Sequence, residues 1–125
     1  MSERIRVLMA PVQHGVVILR DAESKTTHEW DPSRRTSEAR DSVMFAVQLS
    51  EDGQVCFEIW RGEPQEHLPE LLFDGEIVMR HGELVLADAN EDFRITVPGL
   101  HHGGRVSIFV DELNYTAKGQ IVLRF

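Results

Sequence analysis

No window of ten or more residues in this chain sets its apolar side chains at the i, i+3, i+4, i+7 spacing of a helix. They alternate instead with a period of two, so the chain must bury itself as strands. Ile5, Val7 and Met9 alternate with Arg6 and Leu8, and a mostly apolar run from Val16 to Leu19 follows the His14-Gly15 break. Val43, Phe45, Val47 and Leu49 share one face of a strand. Val55, Phe57 and Ile59 return after the turn-forming Glu51-Asp52-Gly53, which predicts a hairpin. Further strands are expected at Leu71–Phe73, Ile77–Met79, Leu84–Ala87, Phe93–Val97, Val106–Val110 and Ile121–Phe125.

Between these strands lie His81-Gly82, Ala89–Asp92, Pro98–Gly104 and Leu113–Gly119, and residues 62–69 break the ladder with Gly62, Pro64 and Pro69. Eight or more short strands with frequent turns predict an all-β fold, an antiparallel β-sandwich with a barrel as the alternative. At 125 residues the chain is expected to be one domain, spanning 1–125. The polar stretch from Asp21 to Asp41 reads as a long loop with a short helix at Ser37 to Arg40.

Simple alternation leaves one face unexplained. When Val55, Phe57 and Ile59 face inward, Cys56 and Trp60 face outward, and the same logic turns Met44 and Phe109 out. Either the Asp21–Asp41 loop with Trp30 covers them, or a partner does, which leaves a homodimer open.

The net charge is −8 and unevenly spread. Residues 1–41 hold seven Lys/Arg against seven Asp/Glu, and residues 42–125 hold six against fourteen. Nucleic acid, which requires a basic surface, is excluded as a direct ligand, and a basic protein partner suits the surplus acid. No stretch approaches the ~20 apolar residues of a membrane helix. Val7 to Ala10 is too short an apolar run for a signal peptide, and the single Cys56 fits a reducing compartment, so cytoplasm is expected.

Candidate chemistry dissolves on inspection. His101-His102 on an extended segment point to opposite faces, and there is no H-x-H pair. Asp88-Ala89-Asn90-Glu91-Asp92 opens like a calcium loop, but Phe93 stands where glycine is needed and Gly99 where a glutamate is needed. Cys56 has apolar neighbours and Glu58 near it, not the cation a thiolate needs. There is no G-x-S-x-G, G-x-x-x-x-G-K or H-E-x-x-H. No catalytic residue, metal ligand or cofactor is expected.

The run Phe73-Asp74-Gly75-Glu76-Ile77-Val78-Met79-Arg80-His81-Gly82-Glu83-Leu84-Val85-Leu86-Ala87-Asp88 continues in Phe93-Arg94-Ile95-Thr96-Val97-Pro98-Gly99 and Arg105-Val106-Ser107-Ile108-Phe109-Val110. It resembles the competence protein J family, with Leu100 where that family has an aromatic after the Pro-Gly. The resemblance implies a small β-sandwich that binds and inhibits a nuclease without catalytic residues of its own. A toxin-binding immunity protein is the related reading.

Counting alternate connections as an up-and-down sheet would, the loops at 62–69, 89–92 and 111–118 should gather at the end opposite the Glu51–Gly53 turn. The expected acidic binding end is then Glu63, Glu66, Asp88, Glu91, Asp92, Asp111 and Glu112. Arg80, His81, His101, His102 and Arg105 fall at the other end. That count assumes a bulge, not a turn, at Asp74-Gly75. The alternative function places a small molecule or metal, with possible catalysis, among His81, His101 and His102.

Overall fold

The computed structural model describes residues 2–124. In chain order its strands are β1 (Glu3–Ala10), β2 (Val16–Asp21), β3 (Thr36–Ala39), β4 (Ser42–Ala46), β5 (Val55–Arg61), β6 (Glu70–Val78), β7 (Leu84–Asp88), β8 (Arg94–Val97), β9 (Gly103–Val110) and β10 (Lys118–Arg124). They form two five-stranded sheets, ordered β1-β5-β10-β9-β6 and β3-β4-β2-β7-β8. Neighbours run antiparallel except β5 and β10, which are parallel with Cys56 opposite Lys118. The fold is an open β-sandwich, and the barrel is not formed.

The alternation read from the sequence identifies the inward faces. Val17, Leu19, Val43, Phe45, Leu84 and Leu86 line one side of the interior; Val55, Phe57, Ile59, Ile108, Ile121 and Leu123 line the other, all fully buried. Burial at about 25 cal/mol per Å² of apolar surface drives this closure.

Four expectations change. The Val43–Leu49 and Val55–Ile59 segments are not a hairpin: β4 ends at Ala46, and the chain crosses from one sheet to the other through a single 3-10 turn, Ser50–Asp52. Val47 N–H donates to the Gly15 carbonyl at 2.9 Å and Gln48 N–H to the Thr116 carbonyl at 2.8 Å, so other loops take over the ladder. Alternation shows which side chains face inward, not which of two facing sheets carries them.

The stretch 21–41 holds strand β3 and no helix; Thr36 lies opposite Phe45 and Ala39 opposite Ser42. A four-residue edge strand of Thr, Ser, Glu and Ala has almost no apolar alternation to betray it. Asp74-Gly75 lies inside one continuous strand, β6, whose register shifts between Leu71 and Phe73, so the two strands expected there are one.

The outward residues are covered by two different segments. Residues 62–69 lie over the first sheet: the His67 ring rests on Phe109 with centroids 4.3 Å apart. Gln120 clasps this strap, accepting from Leu68 N–H at 2.7 Å and donating to the Glu66 carbonyl at 3.0 Å. Over the second sheet, His28 bonds Ser37 Oγ at 2.9 Å and Ser42 Oγ at 2.7 Å, beside the buried Met44. Trp30 stays 45% exposed.

Candidate functional site

The strap decides how the loops are distributed. Because 62–69 runs the length of the sheet and returns at Glu70, β5 and β6 point the same way and the up-and-down count fails after β5. The 89–93 and 111–117 loops therefore share an end with the Glu51–Gly53 turn and do not lie opposite it. Tyr115 O–H donates to the Asp52 carboxylate, and Cys56 N–H donates to the Ala117 carbonyl at 2.8 Å, which locks 111–117 against the crossing.

The seven acids singled out above divide by what already binds them. Asp88 is 3% exposed and spends Oδ1 on Phe93 N–H at 3.2 Å, closing its own turn. Asp111 Oδ1 accepts from Ala117 and Lys118 N–H, both at 3.1 Å. Glu91, in the left-handed region at φ 55°, folds back onto the second sheet and pairs with Arg20 at 2.6 Å and Arg94 at 3.8 Å. Glu63 sits at the opposite end, ion-paired with Arg124 and 2.5 Å from His67 Nε2. The Arg124 hydrogen bond holds the Glu63 carboxyl below its ordinary range against a smaller opposing effect of burial.

Glu66, Asp92 and Glu112 remain exposed with no side-chain partner among the described residues. Asp92 and Glu112 share the end with Glu51 and Asp52, and Glu66 lies on the strap beside it. Glu51 and Asp52 join this group because their turn lies at the same end, where the up-and-down count sets it apart. Arg35, whose Nη2 donates to Asn114 Oδ1 at 3.3 Å, reaches the same end and tempers its charge.

The basic residues gather at the end opposite the Glu51–Gly53 turn, not beside it as the up-and-down count places them. Met79 N–H donates to the His102 carbonyl at 2.8 Å, His102 Nδ1 lies 3.0 Å from the Arg80 carbonyl, and Leu100 N–H donates to the Gly82 carbonyl at 2.8 Å. Gly82 is required there: its φ is +65°, and a Cβ would run into the Leu100 carbonyl oxygen. Arg105 grips Asp74 with two bonds, Nε to Oδ1 at 3.0 Å and Nη2 to Oδ2 at 2.8 Å. That fork holds the Asp74 carboxyl low, helped by Ser107.

His81 pairs with Glu23 at 2.8 Å, and His101 borders a shallow hollow of about 120 Å³ with Arg61. Among the described residues no three His, Cys, Asp or Glu side chains converge as metal ligands. A wider depression of about 630 Å³ is walled by Arg20, Glu23, Lys25 and Arg80. Its arginines are engaged: Arg20 donates to the Asp21 and Ala22 carbonyls, and Arg80 to Glu23 carbonyl and the buried Asp21.

No known protein family matches the chain, and no curated protein matches it in sequence. Architecture is more informative. ComJ from Bacillus subtilis, an inhibitor of the DNA-degrading activity of NucA, superposes with a TM-score of 0.75 at 7% identity, covering 99% of this chain and 98% of that one. The chain shares the fold of ComJ. The likeness extends over the whole sandwich, whereas the sequence resemblance covered only about the last fifty residues. The product of crocagin biosynthetic gene J also matches, with a TM-score of 0.58, 14% identity, and coverage of 99% and 97%. Identities this low carry architecture and not activity.

Proposed function

We propose that this chain is a non-enzymatic binding protein of the inhibitor or immunity type, whose partner is a basic protein such as a nuclease. The observation that carries the reading is the end-to-end likeness to ComJ, an inhibitor of a nuclease. The acidic end would do the docking. Asp92 and Glu112 reach outward with Glu51 and Asp52, and Glu66 flanks them; Asp88, Glu91, Asp111 and Glu63 hold the loops in place. Acidic loops facing the cationic groove of a nuclease speed encounter and reject acidic competitors. A reducing cytoplasm suits the lone Cys56.

The test uses the nuclease encoded nearest to this gene. Binding should slow DNA degradation, and its association rate should fall steeply as salt rises from about 0.05 to 0.5 M, where the screening length shrinks below ~5 Å. Changing Asp92 and Glu112 to Asn and Gln should slow association, and adding Glu51→Gln and Asp52→Asn should slow it further, because all four share one end. Changing Glu3 and Glu76, away from that end, should not. Salt-independent binding, or equal effects from the two sets, would reject the acidic docking end.

A further inference from the structure

Strand β1 pairs with β5 on one side and, among the described residues, with no strand on the other, so a row of backbone N–H and C=O groups along its free edge lacks a ladder partner. Proteins blunt such edges with bulges, charges or proline. The first half of β1 is blunted: Glu3, Arg4 and Arg6 are charged, the register shifts between Arg4 and Arg6, and the Arg6 guanidinium donates to the Ile5 carbonyl at 2.7 Å. These devices stop before Val7. From there to Ala10 the edge is bare, and Val7 and Met9 stand on the outer face 48% and 64% exposed. Pro11, with no N–H to give, ends the run.

The other edges are better guarded. β6 carries Glu70, Asp74 and Glu76, and its last residue, Val78, donates its N–H to the Arg40 carbonyl at 2.9 Å. β3 and β8 have four residues each.

Between the bulge and the proline lie Arg6 to Ala10, centred on Leu8. A segment with a centre can pair antiparallel with its own copy about a two-fold axis. Leu8 then faces Leu8 of the second copy, and directly opposed residues share a face, so Val7 of each copy meets Met9 of the other. The two exposed apolar side chains become each other's cover. Arg6 faces Ala10, so no like charges oppose, and Arg4 is held by Glu58 at 2.9 Å.

We propose that a second copy of this chain docks on β1 in this register, joining the β1-edged five-stranded sheet of each copy into one of ten strands. In a chain of net charge −8, β1 carries two arginines and one glutamate and Glu58 pairs with Arg4, so this edge is close to neutral and two acidic copies repel least there. A ribbon this short belongs to the class of interfaces below about 1,200 Å², so the dimer is reversible. It stands independently of the inhibitor reading.

Sedimentation velocity on the whole chain from roughly 10 μM to 1 mM, a span bracketing weak affinities, should show a shift from monomer to dimer. Amide exchange at residues 6–10 should slow over the same range while that of β3 stays unchanged. Val7→Lys and Met9→Lys sit at solvent-facing positions and should leave the thermal melt intact; each should weaken dimerisation at least about tenfold. The double variant Val7→Lys/Met9→Glu sets lysine opposite glutamate in both pairs and should recover part of the loss. A monomer throughout, a dimer indifferent to both lysines, or no recovery in the double variant would overturn the proposal. Protection at 6–10 that appears only with a nuclease present would also overturn it, by giving the edge to a foreign strand.

Discussion

Phe45 on β4 and Phe57 on β5 meet across the sandwich, ring centroids 5.7 Å apart and planes tilted by 57°. They come from opposite sheets, and both are fully buried. Truncating either to alanine should cost roughly 3–5 kcal/mol through lost burial and an unfilled cavity. The double variant should cost less than the sum by about 0.5–1.5 kcal/mol, the share of the ring pair itself. Urea unfolding of the four proteins measures this, and strict additivity would mean the rings do not interact.

Gly119 on β10 is in register with Phe57 on the adjacent β5, and the Phe57 ring lies against it. A Cβ at position 119 would collide with the edge of that ring, so Gly119→Ala should destabilise by about 1–3 kcal/mol through overpacking. Phe57→Leu in the same chain removes the obstructing ring edge. Chemical denaturation should then show Gly119→Ala costing less in the Phe57→Leu background than in the wild type.

The strap over the first sheet depends on acid ionisation. Hydrogen bonds from Arg124 and Arg105 hold Glu63 and Asp74 below their ordinary range. The unfolded chain takes up these protons near pH ~4, and the folded chain only at lower pH. Their stabilisation is thus fully present above that region and is lost as pH falls through the folded values. Arg124→Gln should lift Glu63 toward its ordinary value, move the acid midpoint of unfolding to higher pH, and raise the exchange rate of residues 63–68. An unmoved acid midpoint would count against the latch.

His28 titrates in a different window. Burial lowers its pKa, with Asp41 partly opposing. The folded state therefore disfavours the proton that the unfolded chain accepts near pH ~6.5, and stability present above that value declines as pH drops below it. Replacing His28 by Gln should flatten this part of the stability profile. Amides at residues 27–30 should exchange fast, since no backbone bond ties them, while those of β3 should be protected. Uniform protection from 24 to 38 would contradict this.

How much of this was legible beforehand follows from what alternation encodes. Phe45, Phe57, Ile108 and Ile121 announced their inward faces, because period two survives any choice of partner strand. The pairing of β4 did not announce itself, since Glu51-Asp52-Gly53 has the composition of a hairpin turn and serves as a crossing between sheets. Nor did the strap: Gly62, Pro64 and Pro69 read as a break, and only Gln120, more than fifty residues on, reveals what holds it. The acidic end inherited that error. Asp88 and Asp111 show why charge counting alone misleads, for each carboxylate is consumed by the turn that displays it.

Parallel pairing of β5 with β10 has a temporal meaning. The strand at the middle of the first sheet is made some sixty residues after its neighbour, and until it arrives β1 with β5, and β6 with β9, exist only as separate ribbons whose inner edges stand open. Each new chain leaving the ribosome thus passes through an interval in which nine of its ten strands are present and the first sheet cannot close. A fold joined by such distant partners forms slowly, on the millisecond-to-second scale. During that interval the exposed strand edges invite exchange with another nascent chain, so a burst of synthesis from closely spaced ribosomes is the circumstance in which this protein is most at risk of entangling with its own kind.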